Sequence, residues 1–516
     1  MWLLFEPLLV VYPLFAVLAA LLYVAKKRRV YAHQRRHAHT DPQQRVLTIG
    51  VFHPYANGGG GGERVLYCAL LALLKHVRRC NLRDLTATSS ASASSTASPL
   101  SLRVLLFAGD DGLTAAQLLH RAADRFNLPE LLTLQLDAHV KLVPLTQRYT
   151  LEPERYPRFT LLWQAVAHVR LAVEAFRTSE RLGVFPDVWL DTTGCAFSYV
   201  VARVLYACTV VAYVHYPMIS TDMIHKVQQR STDFNNDAAI AASAARSTLK
   251  LLYYRVFAFV YGLVGQLCTD VVLVNSTWTY NHIKALWGGE PVIVYPPCGD
   301  MEELLAMPST AREPALALSI SQFRPEKNQR LQLEALHVLL TKHRDVMRSR
   351  FPDFKLVLLG SCRNADDEAR VKLLREQCAD LGLTASVDFV VNASFAELKK
   401  YLARATIGLH TMYNEHFGIS IVEMMAAGLV VVANNSGGPA ADIVKPGTGF
   451  LALTADEYAA QMLEALQATA DETEALRSRA RESSRRFSDL AFEQQLVAAV
   501  ERAVFGELAP SPMERS

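Results

Sequence analysis

Two carboxylates separated by seven residues, Glu415 and Glu423, bracket Phe417-Gly418-Ile419 and are followed by Gly428 and Gly437-Gly438-Pro439. An ionised carboxylate only accepts hydrogen bonds, which suits the diols of a sugar or a ribose. Ile407 to Leu409 reads as a buried strand ending at His410, and Gly418 to Ala427 has helical spacing, with Ile419, Val422 and Ala426 on one face. Glu415 therefore falls in the loop and Glu423 on the helix. The backbone N–H groups of Phe417, Gly418 and Ile419 fall at a helix start, where unpaired donors and the positive end of the dipole favour an anion such as a diphosphate. Taken alone, the pair reads more simply as a surface loop residue and a solvated helical glutamate, a residue common in helices for propensity reasons. The remainder of the chain points to sugar-nucleotide chemistry, because it also carries the glycine run Gly58 to Gly62 and the basic turn Arg324-Pro325-Glu326-Lys327.

The elements that must position these residues follow an alternating rhythm. Arg45 to Phe52 has a strand pattern, His53-Pro54-Tyr55-Ala56-Asn57 leads into the five glycines, and Glu63-Arg64 opens an amphipathic helix. Glycines let backbone amides approach a diphosphate or an acceptor closely. The run is not a G-x-G-x-x-G fingerprint, and by itself it also fits a plain flexible loop. Further strands at Val104 to Ala108, Val188 to Asp191, Val210 to Val214 and Val271 to Asn275, with helical patterns between them, predict a parallel α/β sheet. Tyr295-Pro296-Pro297 marks a junction, and the rhythm restarts with strands at Ala315 to Ser321, Lys355 to Gly360, Val387 to Val391 and Val430 to Ala433. The expected architecture is two doubly wound Rossmann-like domains, 45–300 and 314–484, facing each other across a cleft that takes ligands at the carboxyl ends of the strands. A C-terminal helix, 485–506, is expected to pack back on the first domain.

Composition bounds the class. A chain of 516 residues with 51% hydrophobic content suits two ordinary domains, and a net charge of +3 implies no broad nucleic-acid surface. Pro7 to Ala25 carries no charge and is followed at once by Lys26-Lys27-Arg28-Arg29, which predicts an uncleaved N-terminal transmembrane helix with its basic flank, 1–29. An interfacial or re-entrant segment is the alternative. The positive-inside rule places the body in the cytosol. Residues 83–100 are low-complexity, rich in Ser, Ala and Thr, and read as a disordered insertion that builds no core. Leu251 to Leu267 is apolar nearly all round and reads as a buried helix or one lying in a membrane interface; Arg255 argues against a second span. Eight cysteines without C-x-x-C spacing look like reduced core residues. Asn275, Asn392 and Asn434 head glycosylation sequons that are coincidental if the body is cytosolic.

Beyond these patterns, the chain resembles the retaining glycosyltransferases of family four, with the GT-B fold. Within them it looks like the GDP-mannose-dependent α-1,2-mannosyltransferases of asparagine-linked glycosylation. The resemblance runs from about Val46 to Val504 and is carried by Phe52-His53-Pro54-Tyr55-Ala56-Asn57 with the glycines and Glu63-Arg64-Val65-Leu66, by Tyr213-Val214-His215-Tyr216-Pro217 with Ile219-Ser220-Thr221-Asp222-Met223, by Val274-Asn275-Ser276-Thr277-Trp278-Thr279, by Gln322-Phe323-Arg324-Pro325-Glu326-Lys327-Asn328, and by Asn414-Glu415-His416-Phe417-Gly418-Ile419. The E-x7-E pair identifies only the wide family; the Phe-His-Pro-Tyr and His-Tyr-Pro stretches are narrower.

The resemblance implies roles by position. Lys327 matches the phosphate-binding lysine, Glu423 the carboxylate on the nucleotide ribose and Glu415 the one facing the transferred hexose. His215 matches a histidine near the sugar, although a structural histidine is the plainer alternative. Gly59, Gly60, Gly61 and Gly62 match the loop near the diphosphate and acceptor, and Arg324 stands in for an arginine that the family has where this chain has Gln322. Implied partners are GDP-mannose, a dolichol-diphosphate oligosaccharide, membrane lipid and other mannosyltransferases of the same pathway, at the endoplasmic reticulum membrane with a cytosolic body. No cofactor or metal is implied. Asp110-Asp111, the nearest approach to a metal-binding acidic pair, reads as a turn. Two readings stay open beside this one: an anchored family-four enzyme with a UDP-sugar donor and a lipid acceptor, and a non-catalytic GT-B membrane subunit. A dinucleotide oxidoreductase fits least, since the fingerprint is missing.

Overall fold

The computed structural model describes residues 22–35, 45–88, 99–110, 112–229, 244–308 and 312–506. Most of the apolar run read as a membrane anchor lies outside them, as do residues 89–98 of the low-complexity segment. The chain divides into two compact units. The first takes in the described residues of Met1–Val274, Asn281–Val292 and Glu493–Ser516, and the second those of Asn275–Tyr280 and Ile293–Phe492.

The first unit holds a seven-stranded sheet in the order β3-β2-β1-β4-β5-β6-β7. Its strands are β1 (Arg45–Phe52), β2 (Leu100–Ala108), β3 (Val140–Pro144), β4 (Val188–Asp191), β5 (Thr209–Val214), β6 (Val271–Val274) and β7 (Val292–Ile293). Strands β1 to β6 pair in parallel throughout. Burial on both faces explains why β1 and β2 read as continuous apolar runs rather than alternating ones. The centre of the core is aromatic: the buried Trp189 ring stacks with Phe52 at 5.2 Å, Phe107 at 5.4 Å and Phe176 at 4.9 Å.

One segment differs from the sequence expectation. The low-complexity insertion begins as ordered structure, since the helix after the glycine run, Gly61–Thr88, extends through its first residues. Alanine and flanking polar residues continue a helix already nucleated by the buried Val65-to-Val77 stretch. The basic flank after the apolar run is likewise a helix, residues 22–35, and it is docked. Tyr31 on this helix is buried against Phe185 and Tyr206, with ring centroids 5.1 and 4.8 Å away, and Lys27 pairs with Glu180 at 2.5 Å.

The second unit holds a six-stranded, wholly parallel sheet in the order β10-β9-β8-β11-β12-β13. The strands are β8 (Glu313–Ile320), β9 (Lys355–Gly360), β10 (Val387–Val391), β11 (Ala405–Leu409), β12 (Val430–Asn434) and β13 (Phe450–Ala452). Alternate side chains of one strand enter two separate cores, as the period of two requires. Leu356, Leu358, Val430 and Val432 pack with the Gln329–Lys342 and Ala455–Gln467 helices. Val357, Leu359, Val431 and Ala433 pack with the Ile419–Ala427 helix and with Phe487.

Among the described residues one helix is long and apolar enough to cross a membrane, Arg246–Cys268. Tyr254, Phe257, Ala258 and Tyr261 on one side of it are buried, while Leu249, Leu252, Val256, Phe259, Leu263 and Leu267 form an exposed stripe at helical spacing. The eight cysteines are free, and all but Cys80 and Cys362 are buried.

Candidate active site

In each sheet the strand order reverses between two central strands, β1 and β4 in the first and β8 and β11 in the second. At such a switch point the connections leave the carboxyl ends in opposite directions and open a crevice for a ligand. The residues that follow these four strands supply most of the residues singled out from the sequence.

After β8, Pro325 starts a single 3-10 turn, Pro325–Lys327, that ends at Asn328 in the left-handed region with φ 49°. The turn directs Lys327 to the loop after β11. There Lys327 Nζ lies 2.5 Å from Glu415 Oε2, and His410 Nε2 lies 3.1 Å from the same oxygen. The sequence assigned Lys327 and Glu415 separate duties; the structure joins them as an ion pair. Burial raises the Glu415 carboxyl, but the Lys327 charge and the hydrogen bond from His410 outweigh it and hold the group well below the usual carboxylate range. A buried polar network fixes the lysine's backbone. Gln332 donates to Thr411 Oγ1 at 2.9 Å, and that hydroxyl reaches the carbonyls of Lys327 and Asn328, each at 3.0 Å.

The Ile419–Ala427 helix is capped by Gly418 at φ +113°, a conformation L side chains rarely adopt, and no side chain occupies the cap. Beside the first-turn amides, Phe417 is buried against Tyr295 and Phe487. Glu423, one turn into the helix, is half-buried and lies beside Gly299, where a Cβ would stand 3.2 Å from Glu423 Oε1. The Gly437-Gly438 pair presses on the Glu415 loop: a Cβ on Gly437 would be 2.4 Å from the Glu415 carbonyl oxygen, and one on Gly438 2.7 Å from that of His416. Arg324 is partly exposed on the rim of the 3-10 turn and pairs with Glu326 at 3.3 Å.

The first unit has its own cluster at the β1/β4 switch point. His53, directly after β1, is buried, with Nδ1 2.7 Å from Thr192 Oγ1 after β4 and Nε2 3.5 Å from Glu63 Oε1. The other oxygen of Glu63 accepts the Gly60 amide at 2.6 Å. Burial raises the Glu63 carboxyl, yet the His53 contact and the amide bonds leave it lowered. Arg125 braces the start of the glycine run through the carbonyls of Asn57 and Gly58, at 2.8 and 2.5 Å. His215 follows β5 and is half-buried, its Nε2 3.6 Å from where a Cβ on Gly62 would sit. Asp110 accepts the Asn57 amide at 3.1 Å, a turn contact, and among the described residues no group of three His, Cys, Asp or Glu side chains converges as metal ligands.

The structure therefore brings Lys327, Glu415 and Arg324 with the Phe417-Gly418-Ile419 amides and Glu423 to one unit, and Gly59 to Gly62 with His215 to the other. His410, Gln332 and Thr411, and Glu63 with His53 and Thr192, are site elements that had no assigned role in the sequence. The strand-terminal position of His410 and the place of Glu63 directly after the glycines were the available signals.

Residues 46–287 match the family described as ALG11 mannosyltransferase N-terminus, and residues 300–486 the family described as Glycosyl transferases group 1. A human protein named GDP-Man:Man(3)GlcNAc(2)-PP-Dol alpha-1,2-mannosyltransferase is 44% identical over 88% of this chain and 87% of its own length. A Xenopus laevis protein of the same name is 40% identical over 96% of each. Among solved structures, a glycosyltransferase from Rickettsia africae superposes with a TM-score of 0.54 at 15% identity, covering 90% of this chain and 99% of its own, a likeness of fold. The fold is GT-B.

Proposed function

The chain belongs to the family of GDP-Man:Man(3)GlcNAc(2)-PP-Dol alpha-1,2-mannosyltransferases, and from that membership we propose that it moves mannose from GDP-mannose, in α-1,2 linkage and with retention, onto a dolichol-diphosphate-linked trimannosyl-chitobiose. Two sequential additions are expected. The observation that carries the reading is the Lys327–Glu415 pair at the β8/β11 switch point. It supports the reading because a cation and a carboxylate stand side by side, with helix amides that no side chain caps on the same loop.

In this scheme Glu423 takes the ribose hydroxyls, while the amides of Phe417, Gly418 and Ile419, with Lys327 and Arg324, stabilise the charge that develops as GDP departs. These donors supply the charge neutralisation for which other transferases use a metal, so none is proposed. Gly59 to Gly62 and His215 are proposed as substrate-contacting residues of the first unit. Glu415 is not proposed as a covalent nucleophile: His410 holds its Oε2, and in this scheme the carboxylate binds a hexose hydroxyl. Front-face attack accounts for retention. The acceptor hydroxyl bonds to the anomeric carbon on the face the phosphate leaves, and its proton passes to the departing phosphate oxygen.

The proposed location is the endoplasmic reticulum membrane, anchored near the N-terminus with the body cytosolic and other mannosyltransferases of the pathway as neighbours. The exposed apolar stripe of the Ala244–Cys268 helix supports a surface turned toward lipid.

The test is mass spectrometry of products after incubating the detergent-solubilised chain with GDP-mannose and a synthetic polyprenyl-diphosphate oligosaccharide ending in mannose. A gain of hexose that α-1,2-mannosidase removes is expected. Transfer only from a UDP-sugar, or from neither donor, would overturn the proposal.

A further inference from the structure

His410 has no part in the scheme above, yet it touches its central carboxylate. It directly follows β11 and is 3% exposed. Its backbone is held on both sides: its N–H donates to the Val432 carbonyl at 3.1 Å, and its carbonyl accepts the Tyr458 hydroxyl at 2.8 Å. Its Nε2 meets Glu415 Oε2 at 3.1 Å, while its Nδ1 is buried without a hydrogen-bond partner among the described residues. An imidazole facing an ionised carboxylate through Nε2 donates its proton there.

Lys327 and His410 differ in how they hold the same oxygen. The lysine ammonium is a point charge on a flexible four-carbon stem, so it can turn to a new anion without moving its backbone. The imidazole sits on a short, buried stem and cannot follow. A lysine that serves the donor's diphosphate gives up at least part of its bond to Glu415, leaving a buried carboxylate oxygen that needs another donor.

We infer that His410 is a positioning residue for the transfer: it keeps the Glu415 carboxylate oriented toward the hexose when Lys327 exchanges that carboxylate for the donor diphosphate. The Lys327–Glu415 contact is then the one exchanged, and the His410–Glu415 bond persists through the exchange. Both donors occupy Oε2, and Oε1 accepts no hydrogen bond from the described residues, which leaves it for a sugar hydroxyl. The inference rests on reading Glu415 as the hexose-facing carboxylate and Lys327 as the phosphate lysine.

The test compares His410→Gln, His410→Asn and His410→Leu in the full chain, by steady-state kinetics with GDP-mannose and by GDP binding. The Gln amide nitrogen falls near the Nε2 position, and that of Asn near Nδ1. Loss of the hydrogen bond in His410→Leu and His410→Asn should lower kcat/KM on the order of 10–100-fold, chiefly in kcat, with GDP affinity preserved. His410→Gln should recover most of the rate. Equal loss in the Gln and Asn variants, or full activity in His410→Leu, would overturn the proposal; should His410→Leu fail to fold, the Gln and Asn pair still decides. A Glu415→Ala control separates the two layers. If it leaves transfer unchanged, the hexose-facing reading itself fails; if it abolishes transfer while His410→Leu does not, only the role of His410 fails.

Discussion

The amide of Gly438 donates to the carbonyl of Glu415 at 2.8 Å, so the loop that presents the carboxylate is fastened by its backbone to a second glycine loop after β12. Gly438→Ala would push a methyl against the backbone of His416 and Phe417, each 2.7 Å from its ideal position. Backbone cannot rotate away as a side-chain tip can. The expected outcome is a displaced Glu415 and a rise in the KM for GDP-mannose of roughly tenfold or more, the scale of a misplaced positioning group, with a smaller change in the KM for the acceptor. Initial-rate kinetics with each substrate varied in turn checks it.

Removing the cation of the Lys327–Glu415 pair has a signed pH signature. In the wild-type fold the Glu415 carboxyl is depressed, so its contribution is fully present above the unfolded carboxylate value near pH 4.3 and is lost only as pH falls through the lower folded value. In Lys327→Met burial acts with less opposition and the carboxyl rises. The stability gap between the two proteins should therefore stand at about 1–3 kcal/mol at pH 7 and narrow as pH falls below about 4 toward the depressed wild-type value. Thermal melts across that range measure it, and a constant gap would contradict the ion-pair account.

Glu63 separates two jobs within one side chain. Glu63→Gln keeps an oxygen for the Gly60 amide but loses the charge facing His53, whereas Glu63→Ala loses both. Glu63→Ala should destabilise by about 1 kcal/mol more than Glu63→Gln, the net worth of one hydrogen bond. Amide exchange at Gly60 and Gly61 should rise in the alanine variant alone.

The stripe on the Ala244–Cys268 helix gives a direct membrane test. Phe259→Glu with Leu263→Glu places charges among Leu252, Val256 and Leu267 without touching the buried Tyr261 side. Flotation with phosphatidylcholine and phosphatidylserine vesicles should fall for a chain lacking residues 1–21, while its melting temperature stays within a few degrees, as for exposed sites. Unchanged flotation would remove this helix from the lipid-facing surface.

Asp442 is a buried hub in the second unit. It accepts the amide and hydroxyl of Thr277 at 2.9 and 2.6 Å and the hydroxyl of Tyr295 at 3.0 Å. Burial first, and then the neighbouring Asp442 charge, push the Tyr295 phenol up to about 12. In Asp442→Leu three donors lose their acceptor, and a loss of about 3 kcal/mol or more is expected; the Tyr295 phenol should also titrate lower. Denaturant unfolding and ultraviolet titration read the two effects.

The strands were legible where apolar runs were long. β1, β4, β5 and β9 lie where Val, Leu and Ile cluster, because a parallel sheet covered on both faces needs such runs. β3 escaped notice: its five residues include the exposed Lys141 and a half-exposed Leu142, as an edge strand allows. β13 has three residues. At the candidate site, Lys327, Glu415 and Glu423 were visible as charged residues at loop and helix starts. Gln332 and Thr411 were not, since a buried polar pair has no periodicity and its partners are distant in sequence. The Lys327–Glu415 pairing was equally hidden, because a motif gives residue types and order but not which side chains meet.

Tyr31 carries a consequence for reach. The 22–35 helix is clamped to the first unit by that ring and by the Lys27–Glu180 and Arg35–Asp187 pairs. Whatever precedes Leu22 is thus joined to the seven-stranded sheet by a lever rather than a leash. Under the proposed anchoring, the tilt and standoff of that unit from a bilayer would be set by the direction of one short helix. Replacing Tyr31 with Gly would loosen them without touching any residue of the candidate site.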